Sequence, residues 1–143
     1  MSTATQATTQ TRPDATTAVA GLIRWLETHE VPDDLFAPDL FADISLPTWW
    51  LQADSADRLV AIREHAHPFR GTVHVQRVDP TDRGFVIEFE ERWEDQGERW
   101  YSREIIRADV AGATITELAV YCTGDWDDQR QRDHAEAVQL LRP

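Results

Sequence analysis

The sequence predicts one α+β domain: a curved antiparallel sheet, made of a four-stranded meander plus a short first strand, packed against N-terminal helices and enclosing a small-molecule pocket. Three observations lead there. Helical spacing of apolar residues is confined to the first half and the C-terminal tail. Gly71, Gly84, Gly97 and Gly112 fall at nearly even intervals, each where a turn or a strand start is needed. The segments between them alternate or are rich in β-branched and aromatic residues, as strands are. Helices gathered before such a meander cover one face of its sheet.

The elements follow in order. Residues 1–16 are rich in Thr, Ala and Gln, lack apolar periodicity and read as a disordered tail, leaving 17–143 as a single domain. Ala18 to Glu30 carries Val19, Leu22, Ile23 and Leu26 at helical spacing, with Asp14 or Thr16 available as a cap and Pro32 as a stop. A second short helix is expected at Asp33 to Leu40. A short strand follows from Phe41 to Pro47, then Trp49 and Trp50. Ser55 to Ala66 is a third helix with Leu59, Ile62 and Arg63 on one side, ended by Pro68. The meander strands are Thr72 to Asp79, Phe85 to Glu94, Glu98 to Asp109 and Thr114 to Thr123. They are joined by the tight turns Asp82-Arg83-Gly84, Asp95-Gln96-Gly97 and Ala111-Gly112-Ala113. A tail helix is expected from Asp127 to Val138, where Asp125, Asp127 and Asp128 suit a helix N-terminus.

Composition removes several function classes. A net charge of −12 repels nucleic acid and anionic membranes at long range. All 14 basic residues are Arg, so a Schiff-base lysine and a P-loop lysine are both absent. The one cysteine, Cys122, excludes an internal disulfide and a multi-thiolate zinc site, and is expected to be a small core residue. No apolar stretch approaches the roughly 20 residues of a bilayer span, and no signal-peptide core is seen, so a cytoplasmic location is expected. His65 and His67 are not at helical ligand spacing, and no metal is expected. With no Gly-rich phosphate loop, nucleophile elbow or dinucleotide fingerprint, no cofactor is expected either.

Strand alternation sorts the side chains. Phe85, Ile87, Phe89, Glu91 and Trp93 share one face of their strand, which must be the inner one; Trp100, Ser102, Glu104, Ile106 and Ala108 share the inner face of the next. Glu104 and Glu91 are therefore inward carboxylates among aromatic and aliphatic neighbours. Burial there raises proton affinity toward the range useful for acid–base work, although a structural carboxylate bonded to an arginine would have the same parity. His74, flanked by Val73 and Val75, leans outward by parity but is a third acid–base candidate. Leu118, Val120 and Cys122 are taken as the inner set of the last strand, with Tyr121 near its end as a possible donor. Trp49, Trp50, Trp93 and Trp100 are candidates to stack on a ligand, core filling being the plainer role for each.

Three strings, in this order, resemble the nuclear transport factor 2-like superfamily, which includes ketosteroid isomerases and SnoaL-like polyketide cyclases. They are Leu35 to Asp43 (LFAPDLFAD), Glu104 to Arg107 (EIIR) and Gly112 to Tyr121 (GATITELAVY). The resemblance covers about Ala18 to Asp127. It implies a cone-shaped fold with a pocket under the concave sheet face, and places Glu104 where such isomerases and cyclases carry a pocket acid. It also implies departures. Leu46, Pro47 and Thr48 stand where the isomerases carry an Asp base, Arg24 or Trp25 where they carry a helix Tyr, and Ser102 and Val120 where epoxide hydrolases of this fold carry an Arg and a second Asp.

The expected function is that of a cofactor-independent isomerase or cyclase acting on a hydrophobic, oxygenated, natural-product-like molecule. Glu104, with Glu91 or His74, would move protons, and Trp49, Trp50, Trp93, Trp100, Leu118 and Tyr121 would position the substrate. The alternative is a binding or dimerisation module of the same fold without chemistry. A homodimer through the outer sheet face, at Tyr101 and Ile105, is expected; nucleic acid and membrane are not expected as partners.

Overall fold

A computed structural model describes residues 15–142, so all but the end of the expected N-terminal tail lies outside the described residues. Helix α1 (Thr16–Thr28) buries Ala18, Leu22, Trp25 and Leu26, an apolar stripe at i, i+4, i+7 and i+8. It stops at His29, whose left-handed backbone (φ 62°) lets its N–H close on the Trp25 carbonyl at 2.8 Å. Pro32 lies beyond this stop.

The expected helix at Asp33 to Leu40 is not formed. Strand β1 runs from Phe36 to Leu46 and absorbs most of that segment, including the string expected to be a helix leading into the strand. Tertiary pairing overrides the local pattern here: Phe36 aligns with Ile115 and Phe41 with Glu117, with an irregularity between them. Pro38 lies within that irregularity. A proline has no N–H for a ladder and breaks a helix interior, so it suits this place and argued against the helix from the start. Strand β2 (Trp49–Ala53) folds back on β1 as a hairpin.

Helix α2 (Ala56–Ala66) is capped by Ser55, whose hydroxyl accepts from the Arg58 N–H at 3.1 Å. The meander then forms as expected: β3 (Gly71–Pro80), β4 (Gly84–Asp95), β5 (Glu98–Ala111) and β6 (Thr114–Cys122), each antiparallel to the next. At the β4–β5 turn Gln96 (φ 51°) and Gly97 (φ 78°) both take positive φ, the geometry that a two-residue hairpin of right-handed twist demands. Gly84 is needed for a different reason. A Cβ there would lie 2.0 Å from the Ala108 carbonyl oxygen across the ladder. Helix α3 (Asp128–Ala137) starts on an Asp127 cap to the Arg130 N–H at 2.8 Å.

The sheet has six strands in the order β2-β1-β6-β5-β4-β3. The first strand is longer than expected and lies parallel to β6, so the curved sheet is mixed. Its inner face carries Phe85, Ile87 and Phe89 from β4, Ile106 and Ala108 from β5 and Leu118 from β6, all buried. These pack against Leu22, Leu26 and Leu59 of α1 and α2 in one core. Burying side chains of this size stabilises by about 1.5–3 kcal/mol each. Beside the C-terminal half of β6 the core opens into a cavity walled also by residues of α1, α2, β1 and β2.

Candidate active site

The cavity has a volume of about 310 Å³. Its walls are mostly apolar: Trp25 and Leu26 from α1, Ile44 and Leu46 from β1, Leu51 from β2, Leu59 and Ile62 from α2, and Ile106, Leu118 and Val120 from the sheet. The polar lining is a short list of Arg63, His67, Glu104, Cys122 and Asp125. A largely apolar hollow with a few convergent polar groups is the usual form of a small-molecule site.

Glu104 stands mid-strand on β5, opposite Phe89 of β4 and Cys122 of β6. Protein atoms surround its carboxyl, and the surface it keeps faces the cavity. Glu91 pairs in register with Ser102, two residues along, so the two carboxyls share the inner face on a diagonal. The two carboxyls act on one another's proton affinity, and Cys122 stands opposite Glu104 across the ladder.

Arg63 separates the two glutamates chemically. Its guanidinium forks onto Glu91, Nη2 to Oε1 at 2.6 Å and Nη1 to Oε2 at 3.2 Å, and Nη2 also donates to the Leu26 carbonyl at 2.9 Å. Its Cζ lies 5.7 Å from the centre of the Trp25 ring. Both side chains of the pair are shielded, at 12% and 5% exposure. For Glu91, burial favours the neutral acid, but the Arg63 charge and hydrogen bonds more than offset it and hold the group below the ordinary carboxylate range. Glu104 has no such counter-charge of its own. Burial first, and the neighbouring Glu91 charge second, push its proton affinity well above the ordinary value, toward the neutral acid.

His67 follows α2, and its ring lies 4.4 Å from the Trp93 ring, edge to face. Burial and the positive charge of Arg63 bring it down to about 4, so it is a neutral imidazole at neutral pH. The Cys122 thiol is pushed up by burial and by Glu104, which keeps it un-ionised. Asp125, just past β6 on the cavity wall, is raised by burial and by the Glu91 charge. Among the described residues no group of three or more His, Cys, Asp or Glu could hold a metal ion. No helix among them is long and apolar enough to cross a membrane.

Only some of the expected site residues gather here. Glu104 and Leu118 line the cavity. Glu91 sits behind its wall, engaged by Arg63, so it is the arginine-bonded carboxylate that inner-face parity also allowed. His74 is exposed on the outer face of β3, the direction in which its valine neighbours pointed it. Trp49 and Trp50 are 66% and 67% exposed at the β1–β2 hairpin, where the Trp50 Nε1 donates to Asp43 at 2.5 Å. Trp93 is buried and Trp100 half-buried, stacked at 6.4 Å against each other and outside the cavity. Tyr121 is 57% exposed on the outer face, opposite Ile105. Tyr101, expected on a dimer face, donates to Glu90 at 2.6 Å and packs on Trp126 within the chain. Sequence reasoning missed Arg63, His67 and Asp125 as site residues. Arg63 had a signal, an arginine on the apolar side of a helix beside Leu59 and Ile62. His67 and Asp125 had none.

No protein-family model and no curated protein sequence matches the chain. Solved structures do match its fold. An NTF2-like protein from Anabaena variabilis is 18% identical at a TM-score of 0.61, over 76% of this chain and 85% of that one. IdmH, a candidate polyketide cyclase from Streptomyces antibioticus, is 17% identical at a TM-score of 0.61, over 76% and 91%. An LEH-like epoxide hydrolase from M. tuberculosis is 16% identical at a TM-score of 0.60, over 77% and 85%.

Proposed function

From the nuclear transport factor 2-like fold of this chain, and the neutral acid at its cavity wall, we propose a cofactor-independent isomerase or cyclase that works by acid–base chemistry on a hydrophobic, oxygenated small molecule. The single observation that carries this reading is Glu104: a carboxyl enclosed by protein, its proton affinity raised well above the ordinary value, that faces an apolar hollow. A carboxylic acid kept neutral in this way can donate to a carbonyl oxygen and stabilise the charge that develops there. The cavity volume, near the low end of the roughly 300–1,000 Å³ of ligand pockets, suits one or two rings or a short folded chain.

In this mechanism Glu104 donates its proton to the carbonyl oxygen of the substrate. His67, neutral and on the same cavity, takes the proton from the adjacent carbon. The resulting enol has two outcomes. Return of the His67 proton at a more distant carbon, with the oxygen proton returning to Glu104, moves a double bond. Attack of the enol carbon on a second carbonyl of the same molecule forms a carbon–carbon bond as the enol oxygen returns its proton to Glu104, and the new alkoxide takes up the His67 proton. Both outcomes leave the protein as it began and need no cofactor. The apolar walls exclude water, which strengthens the Glu104 hydrogen bond to the developing charge.

The test uses a panel of bicyclic enolisable ketones in heavy water, read by NMR for deuterium at the carbon beside the carbonyl. Exchange above buffer is expected with the wild-type protein, falling by about 10²–10⁴-fold in Glu104→Gln. Equal exchange by the two folded proteins removes Glu104 from the chemistry. Binding without exchange by either turns the reading to a binding module.

A further inference from the structure

Beside the cavity wall two inward carboxyls stand near one guanidinium, which engages only one of them. Arg63 spends both of its Nη groups on Glu91, and its remaining strong contacts, the Leu26 carbonyl and the Trp25 face, hold it there. Glu104 lies on the same face, diagonal to Glu91 across the β4–β5 ladder. One positive charge compensates one carboxylate, and a second uncompensated charge in this space is costly. We infer that the Arg63–Glu91 pair is a specificity-determining device: it keeps the shared proton on Glu104, so the cavity accepts neutral, hydrogen-bond-accepting ligands and rejects ammonium ions.

This inference rests on the proposed role of Glu104 as an acid but concerns what sets that role. Glu91 and Arg63 are positioning residues, since Glu91 does not line the cavity. The other charged or titratable groups facing the cluster are His67 after α2, Cys122 of β6 and Asp125 beyond it; α1 contributes only Trp25 and Leu26 to the wall. None is a second cation at neutral pH, because His67 is neutral there. The choice of which glutamate keeps the proton therefore falls to Arg63. Were Glu91 unable to carry charge, Arg63 would pair with Glu104, and the cavity would turn from a proton donor into an anion.

The experiment compares the full-length wild type with Glu91→Gln and Glu104→Gln at neutral pH. Infrared spectroscopy reads the C=O stretch of a protonated carboxyl; calorimetry reads binding of β-tetralone against its amine counterpart, which is an ammonium ion at this pH. In the wild type one acid band is expected, absent from Glu104→Gln, with the ketone bound in preference to the amine. In Glu91→Gln the band disappears and the preference swings toward the amine by about tenfold or more. Persistence of the acid band in Glu91→Gln overturns the inference. So does a wild type that binds the ammonium as well as the ketone, or that binds neither. If Glu91→Gln does not fold, carbon-13 carboxyl titration of the wild type decides. Glu91 must titrate on the acid side of the ordinary range and Glu104 above it, and the reverse assignment overturns the proposal. Loss of deuterium exchange with the band and the preference intact would sink the proposed chemistry and leave this device standing.

Discussion

Glu91 and Glu104 have the same side chain, the same parity and adjacent strands, yet the proton affinity of one is lowered and that of the other raised. The difference comes chiefly from Arg63, which pairs with Glu91, because burial pushes both in the same direction. It has a consequence for stability. Glu104 binds its proton more tightly folded than unfolded, so its contribution is full below the unfolded value of about 4.5 and is lost as pH rises through the folded value. His67 works oppositely. Its folded value near 4 lies below the unfolded 6.5, so its contribution is present above 6.5 and lost as pH falls toward 4. Urea unfolding of Glu104→Gln across pH is therefore expected to lose the alkaline decline of the wild type, and His67→Gln to lose part of the acid decline. A Glu104→Gln profile that parallels the wild type on the alkaline side would show that Glu104 is ionised in the folded chain.

Elements set these residues in place, and the places of closest approach are where substitutions tell. Gly84 starts β4 with no room for a Cβ beside the Ala108 carbonyl, and its strand carries Phe85, Phe89 and Glu91 inward. Gly84→Ala is expected to push β4 off β5 and cost about 1–3 kcal/mol in thermal or urea unfolding. An unchanged midpoint would mean that the strands separate without penalty. The meander was legible because its turns are local: a glycine at the positive-φ position of a hairpin and a period of two fix strand, turn and face within a dozen residues. Strand β1 was not legible as a strand at its start. Leu35, Phe36 and Leu40 imitate a helical stripe, and what makes the segment extended is Ile115, whose N–H donates to the Leu35 carbonyl at 2.7 Å from the far end of the chain.

At the scale of the whole molecule the cavity lies where residues of α1 and α2 face the inner side of β1, β5 and β6. Val120 lies on that open wall, opposite Ile106. Val120→Phe should fill the hollow, weakening ligand binding by more than about tenfold while costing no more than roughly 1–3 kcal/mol of stability. Calorimetry and unfolding read the two effects separately, and unimpaired binding would place the ligand elsewhere.

The amino-acid sequence by itself determined the α+β class, the order of the meander strands, and the inward direction of Glu104, Glu91 and Leu118 and the outward lean of His74. Each of these follows from periodicity and turn chemistry, which act between near neighbours. The tertiary structure alone decided that β1 lies parallel to β6 and that Trp49, Trp50, Trp93, Trp100 and Tyr121 stand off the cavity. It also decided that His67 and Asp125 join the cavity wall and that Arg63 meets Glu91 and not Glu104. Those outcomes depend on contacts between residues far apart in the chain, such as the 28 positions from Arg63 to Glu91, and on which of two buried acids a single positive charge can reach.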